Sequence, residues 1–183
     1  MTVHNFSDKL ECSKSTLSES VEGTLMAMIP ECKRVYQSEE KDDRNGVDYW
    51  AELESGRLIA VDHKTREAGC RTWWVANEPE LALEIWSDVK AKAIGWTLDA
   101  AKQTEYIFYS FDQEDSSECF LIPFQLLRAV FKNNGRTWCK IYGQKPQKSI
   151  NNYGKSWESM AVFVPASVVL HAVFRAMRTK NML

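Results

Sequence analysis

Residues 47–64 have the sequence VDYWAELESGRLIAVDHK, and this stretch decides the fold. Residues 47–53 and 57–64 are rich in apolar and aromatic side chains, which is typical of β-strands. The three residues between them end in Gly56, which suits a type I turn followed by a left-handed position that glycine occupies without steric cost. The stretch therefore predicts a β-hairpin.

The length of the loop determines which residues of the two strands face each other. A three-residue loop pairs Leu53 with Arg57 and therefore Asp48 with Asp62, whereas a two-residue loop would place Asp48 opposite His63. The longer loop is favoured, because it gathers the apolar positions of both strands on one face that can be buried. Those positions are Val47, Tyr49, Ala51, Ile59 and Val61, and His63 lies on the same face.

On the other face of this hairpin, Asp48 and Asp62 are expected to lie side by side, with Lys64 two residues beyond Asp62. Opposed side chains have Cβ atoms about 5 Å apart, so the two carboxylates would repel each other unless a cation neutralised them. Oxygen ligands favour Mg²⁺, Mn²⁺ or Ca²⁺ over zinc, and we predict Mg²⁺, or Mn²⁺ in its place. Such an ion could polarise a phosphodiester, and Lys64 could orient the attacking water. The alternative is an ordinary surface ion pair between Asp62 and Lys64.

These residues resemble the two motifs of the PD-(D/E)XK nuclease superfamily, with Val47-Asp48 in place of Pro-Asp and Asp62-His63-Lys64 as the second motif. In phage and bacterial members, an apolar strand with a Glu, a Gly-Trp helix and a Thr-Asp/Glu-Tyr strand follow. Residues 81–86, 95–99 and 104–109 are similar to these, and the resemblance covers roughly residues 20–112. The missing Pro, and Asp62 where many members have Glu, are departures from the pattern.

The resemblance implies a restriction-endonuclease-like α/β fold, a mixed sheet flanked by helices, and hydrolysis of DNA. It implies that Asp48 and Asp62 are metal ligands, that Lys64 is the catalytic lysine, and that the His63 carbonyl is a further ligand. Glu22 and Glu84 are possible additional acids. Many nucleases of this fold act as homodimers, which makes a second copy a possible partner, although the chain shows no clear self-complementary patch.

Composition predicts one domain over residues 1–183. The resemblance implies a nuclease core at about 18–112, which leaves a basic C-terminal extension at about 113–183. The 183 residues are 44% hydrophobic and include seven Trp, enough for a substantial core. The five Cys form no C-x-x-C pair and are odd in number, which argues against disulfides and zinc ribbons. We expect reduced thiols in a cytoplasmic protein, with no membrane partner, because no apolar stretch is long enough to span a bilayer.

The net charge of −2 conceals a strong asymmetry along the chain. Residues 128–183 hold ten basic residues and one acidic residue, whereas residues 1–127 hold thirteen basic and twenty-four acidic residues. Cations interleaved with aromatic residues are typical of nucleic-acid contacts. Alternatively, Trp138 and Tyr142 are core residues of a strand and the lysines keep a long loop soluble. The candidate contacts are Lys132, Arg136, Trp138, Lys140, Lys145, Lys148 and Lys155.

Other segments predict the remaining elements. Residues 15–35 predict a helix that begins near Ser18 and is bent or ended by Pro30. A strand at 81–86 should be followed by a helix around 90–102 and a strand at 104–111. Two further units each consist of a strand, a Pro and a helix. They span residues 119–132 and 161–177, and we expect them to extend the edge of the sheet and cover it.

A second function of a different class fits the same sequence. The chain could be a catalytically inactive, nuclease-like protein of a phage or mobile element that binds DNA or inhibits a host defence complex. The acidic first two-thirds of the chain could also mimic the negative charge of nucleic acid and so bind a basic partner. The presence of Asp48, Asp62 and Lys64 together favours the enzyme.

Overall fold

A computed structural model describes residues 3–5, 18–39, 42, 45–66, 78–111, 118–150 and 154–180. The described chain is mixed α/β, with two five-stranded sheets and three helices, which agrees with the predicted α/β class. No helix in these residues is long and apolar enough to cross a membrane. In chain order the elements are β1 (Val3–Asn5), α1 (Ser18–Met28), β2 (Cys32–Gln37), β3 (Tyr49–Leu53), β4 (Leu58–Arg66), β5 (Glu80–Asp88), β6 (Ala93–Ile94), β7 (Tyr106–Phe111), β8 (Cys119–Pro123), α2 (Phe124–Tyr142), β9 (Gln144–Ile150), β10 (Ser156–Pro165) and α3 (Ala166–Lys180).

The chain divides into two compact units. The hairpin unit comprises Ser13–Thr72 and Ala101–Gln125, and the cationic unit comprises Met1–Cys12, Trp73–Ala100 and Leu126–Leu183. The hairpin unit contains ten basic and seventeen acidic residues, a formal charge of −7, whereas the cationic unit contains thirteen basic and eight acidic residues, a charge of +5. The charge asymmetry seen along the sequence therefore persists between the two units. The predicted single domain stays a prediction.

The sheet of the hairpin unit has the strand order β2-β3-β4-β7-β8. Neighbouring strands are antiparallel except β4 and β7, which are parallel. Helix α1 begins at Ser18, as predicted, and ends at Met28, before Pro30. Residues 32–35, which lie within the predicted helical stretch, belong to β2 instead. The helix buries Val21 and Leu25 against the sheet. The sheet residues in this core include Tyr49, Ala51, Ile59, Val61 and Phe108.

The hairpin between β3 and β4 has the predicted register. The Leu53 N–H donates to the Arg57 carbonyl at 2.9 Å, and Tyr49 pairs with Val61. Gly56 has a φ of +81° and donates its N–H to the Leu53 carbonyl, so the loop is the expected three-residue turn. Strand β3 begins at Tyr49 rather than at residue 47, which is a difference from the prediction.

The predicted helix at 90–102 is wrong. Residues 89–92 form a turn, and the short strand β6 then pairs with β5. The Gly95 N–H donates to the Ile85 carbonyl at 2.8 Å, and a Cβ at Gly95 would collide with the backbone of Glu84. This close approach to β5 holds the segment as a hairpin, so a tertiary contact overrides the helical pattern.

The second sheet belongs to the cationic unit and has the strand order β1-β9-β10-β5-β6. Both predicted strand-Pro-helix units form, as β8 with α2 and β10 with α3. Strand β8 lies at the edge of the hairpin sheet, as expected, but β10 lies at the centre of the second sheet, so its expected place at the edge of the first is wrong. The interpretation of Trp138 and Tyr142 as strand residues is also wrong, because both lie in α2.

Candidate functional site

The candidate site is built around Asp62, which lies in β4 between β3 and β7 and is only 1% exposed. A buried carboxylate is costly unless cations or hydrogen-bond donors compensate its charge. Two ammonium groups do so here. The Lys64 ammonium donates to Oδ1 of Asp62, and the Lys102 Nζ lies 2.6 Å from Oδ2.

Lys64 lies on the same side of β4 as Asp62, which confirms the prediction from their spacing. Its side chain is 28% exposed, whereas that of Lys102 is 14% exposed. Both cations belong to the hairpin unit, as does Asp62. Lys64 is therefore the more accessible of the two to a molecule arriving from solvent.

Asp48 precedes β3 and lies beside Asp62. Its N–H donates to the Val61 carbonyl at 2.9 Å, and Tyr49 also pairs with Val61, so two residues share one partner as in a β-bulge. Asp48 consequently leaves the regular ladder, and its Oδ2 accepts a hydrogen bond from the His63 N–H at 2.6 Å. Because of this bulge, the carboxylates of Asp48 and Asp62 are adjacent, although the two residues do not face each other in the regular strand pairing.

The two carboxylates have opposite electrostatic environments. Burial, reinforced by the charge of Asp62, raises the pKa of Asp48 to about 7, although Lys64 and the His63 N–H act in the other direction. Burial also disfavours the charged form of Asp62, but Lys64 and Lys102 outweigh it and hold the pKa of Asp62 below its usual range. Without a bound cation, Asp62 is therefore ionised at neutral pH, whereas Asp48 titrates near neutral pH.

Lys102 is a site residue that the sequence analysis missed. It lies in the segment before β7, and that segment is held in place by backbone hydrogen bonds from Gln103 to Asn45 at 3.1 Å and from Glu105 to Ala60 at 2.9 Å. The only signal in the sequence was its position just ahead of a strand, which does not reveal that β7 runs beside β4.

Gly46 makes room for Lys102. Its φ is +77°, and a Cβ at this position would collide with the Lys102 ammonium. Its carbonyl accepts a hydrogen bond from the Thr104 hydroxyl. Glycine is therefore favoured at position 46 for two reasons. The backbone there is left-handed, and the Lys102 side chain leaves no space for a Cβ.

The imidazole of His63 lies on the opposite face of β4 from the side chains of Asp62 and Lys64. Its Nε2 is 2.7 Å from the Ser110 hydroxyl, and its ring contacts those of Phe108 and Tyr49. Burial, together with the charge of Lys64, lowers the pKa of His63 to about 4, so the ring is neutral at physiological pH. Only its backbone can take part in the site, which leaves the implied carbonyl ligand a prediction.

The carboxylates of Asp48 and Asp62 form the smallest set of oxygen donors that suits a hard divalent cation. Asp48 and Asp62 supply adjacent carboxylate oxygens, and burial together with the charge of Asp62 raises the pKa of Asp48, so a cation beside them would stabilise its ionised form. In the described residues, no group of three or more His, Cys, Asp or Glu could hold a metal. Because Lys64 and Lys102 contact both oxygens of Asp62, a cation there would have to share them or displace an ammonium.

The two possible additional acids are placed differently. Glu22 lies on α1, and its charge adds to the effect of burial in raising the pKa of Tyr49 on β3. Glu84 lies on β5 in the cationic unit, where its Oε2 accepts a hydrogen bond from the Trp96 N–H at 3.2 Å. This hydrogen bond connects the segment that follows β6 to β5.

The predicted nucleic-acid contacts separate into two groups. Lys132, Arg136 and Lys140 recur every four residues and share one face of α2, whereas Trp138 is only 5% exposed and packs on Phe131. Trp138 thus lies in the core and not beside these cations. The remaining candidates lie on β9 and just before β10: Lys145, whose ammonium is 5.1 Å from the centre of the Phe163 ring, Lys148 and Lys155.

Comparison of the chain with protein-family models, with curated proteins and with solved structures finds no match. Its function has to be inferred from the site itself.

Proposed function

We propose that the chain is a metal-dependent nuclease of the PD-(D/E)XK type that hydrolyses DNA phosphodiester bonds with Mg²⁺ or Mn²⁺. The observation that carries this proposal is that Asp48, which directly precedes β3, and Lys64 of β4 both lie beside the buried carboxylate of Asp62. The mixed sheet and the α1 helix packed on it are compatible with this type of fold.

Each residue has a distinct part in the proposed chemistry. Asp48 and Asp62 would hold the cation, which when bound would polarise the phosphodiester and acidify a water molecule. Lys64 is exposed enough to donate a hydrogen bond to a phosphate oxygen or to orient the attacking water. Lys102 keeps Asp62 ionised and is therefore a positioning residue.

A second candidate function is a nuclease-like binding protein without catalysis. The observation that favours it is the pairing of both Asp62 oxygens with ammonium groups, which compensates the buried charge without any metal. Such a protein would bind DNA or a host protein, and it would not need a divalent ion.

The deciding experiment incubates the protein with labelled single-stranded, duplex and branched DNA in Mg²⁺, Mn²⁺ or EDTA, and compares Asp62→Asn with the wild type. Lys33→Ala is the control, because Lys33 is an exposed lysine of the same unit that lies 3.7 Å from Glu52. The nuclease requires metal-dependent cleavage that Asp62→Asn loses and Lys33→Ala keeps. A folded wild type that cuts none of these substrates and binds no Mn²⁺ would instead favour the binding protein.

A further inference from the structure

The cationic unit contains a cavity of about 570 Å³ that is separate from the residues of the proposed catalytic site. Its volume lies within the range of small-molecule and cofactor sites. One wall is the face of α2 that carries Lys132, Arg136 and Lys140, and the lining on the β5 side includes Ile85 and Trp86. A strongly basic wall thus faces an apolar and aromatic one.

The spacing of the three cations on α2 suits a ligand that carries several negative charges in a row. Residues four apart on a helix rise by about 6 Å per step and stay on one face, so the three side chains form a row. Helix α2 has no acidic residue, and none of the three cations forms an ion pair within the described part of the chain. All three side chains are exposed, so they can be reached by an anionic ligand from solvent.

Trp86 adds an exposed aromatic ring to the cavity, which a site for phosphate alone would not need. It is 37% exposed although it is one of the largest apolar side chains, and it lines the cavity with Leu98 and Ile85. Partly exposed aromatic rings beside a basic groove are the stacking surfaces on which unpaired bases bind. Bases within a duplex are already stacked on each other, so a ring of this kind discriminates in favour of single strands.

We propose that this cavity binds a segment of single-stranded nucleic acid, with the phosphates along Lys132, Arg136 and Lys140 and an unpaired base against Trp86. The site takes its ligand by charge and stacking, without catalysis. It extends the proposed function by assigning a substrate form, single-stranded DNA, but it uses none of the catalytic residues. An experiment can therefore disprove binding of single-stranded nucleic acid at this cavity without disproving cleavage at the proposed catalytic site, and the reverse also holds.

The test measures fluorescence anisotropy of a labelled oligothymidylate of about 12 nucleotides in EDTA, so that cleavage does not interfere. Loss of all three cations in the variant Lys132→Ala, Arg136→Ala, Lys140→Ala should weaken binding at least tenfold. It should also reduce the slope of log affinity against log salt by about 2, since each phosphate contact on a single strand contributes roughly 0.7. The control replaces Arg175 and Arg178 by Ala, because these exposed cations of α3 lie outside the cavity.

Trp86→Leu tests the stacking part separately. It should weaken binding of the oligothymidylate about tenfold, leave the salt slope unchanged and leave any binding to duplex DNA unaffected. The proposal is overturned if the cavity and control variants lose affinity equally, if Trp86→Leu binds like the wild type, or if thymidine monophosphate competes as well as the oligonucleotide. Thermal unfolding of each variant checks that the fold is intact.

Discussion

The Nζ of Lys102 lies 2.6 Å from Oδ2 of Asp62, across forty residues of sequence. This ion pair gives the buried Asp62 a second cation beside Lys64, and it links the segment before β7 to the centre of β4. The electrostatic state of the proposed site therefore depends on a residue outside both motifs.

Lys102→Met should lower the free energy of unfolding at pH 7 by about 1–3 kcal/mol, because Asp62 keeps only one cationic partner. The pKa of Asp62 is held below its usual range, so its contribution to stability is present above the ordinary pKa of an Asp and is lost as the pH falls. The effect of the substitution should therefore shrink in acid. Urea unfolding at several pH values measures this.

The matched control for Lys102→Met is Arg57→Ala. Arg57 also pairs with a carboxylate of the same unit, Glu105, but the pair is largely exposed, so its loss should cost less than about 1 kcal/mol. Equal costs for the two variants would mean that the Lys102 contact does not stabilise the buried Asp62.

Asp48→Asn should stabilise the protein above neutral pH in EDTA. The pKa of Asp48 is raised from 3.8 to about 7, so its neutral form stabilises the fold fully below pH 3.8, and this contribution disappears as the pH rises through 7. The wild type should thus lose stability relative to Asp48→Asn between about pH 5 and 8, on the order of 3 kcal/mol. Parallel stability curves over that range would contradict the raised pKa.

Binding of Mn²⁺ should depend on pH in the same range, because Asp48 has to lose its proton to become a ligand. The affinity should rise by up to about tenfold per pH unit below pH 7 and level off above it. Electron paramagnetic resonance of free Mn²⁺ measures this directly, with Asp48→Asn expected to bind weakly at every pH. An affinity that stays constant from about pH 5 to 8 would remove Asp48 from the ligand set.

Gly46→Ala should destabilise the protein more than Gly56→Ala does. Both glycines have a positive φ, so each substitution costs about 1–2 kcal/mol in backbone strain. A Cβ at Gly46 would also displace the Lys102 ammonium, whereas the space around Gly56 is open. We expect an additional loss of at least about 1 kcal/mol, since Asp62 would lose a partner.

Comparing urea unfolding of the two glycine variants isolates the crowding at Lys102 from the backbone strain. If the nuclease proposal holds, Gly46→Ala should also lower DNA cleavage while Gly56→Ala retains it. Equal unfolding free energies would show that the Lys102 side chain moves aside at no cost.

The local hairpin was predictable from the sequence. The loop ending in Gly56 and the alternation of apolar residues in the two strands determine the register of β3 and β4, because turn geometry and face burial act over a few residues. The ion pair of Asp62 and Lys64 follows from their spacing of two on a strand. Helix α1 could be predicted from its own start and stop residues.

Tertiary structure alone decided the rest. Lys102 reaches Asp62 because β7 runs parallel to β4, and the segment at 90–102 becomes a turn and a strand because Gly95 packs against β5. Strand β10 pairs with β5, about eighty residues earlier in the chain, and this pairing builds the second sheet. Turns and strand spacing depend on neighbouring residues, whereas these pairings depend on which distant surfaces are buried together, and no local pattern contains that information.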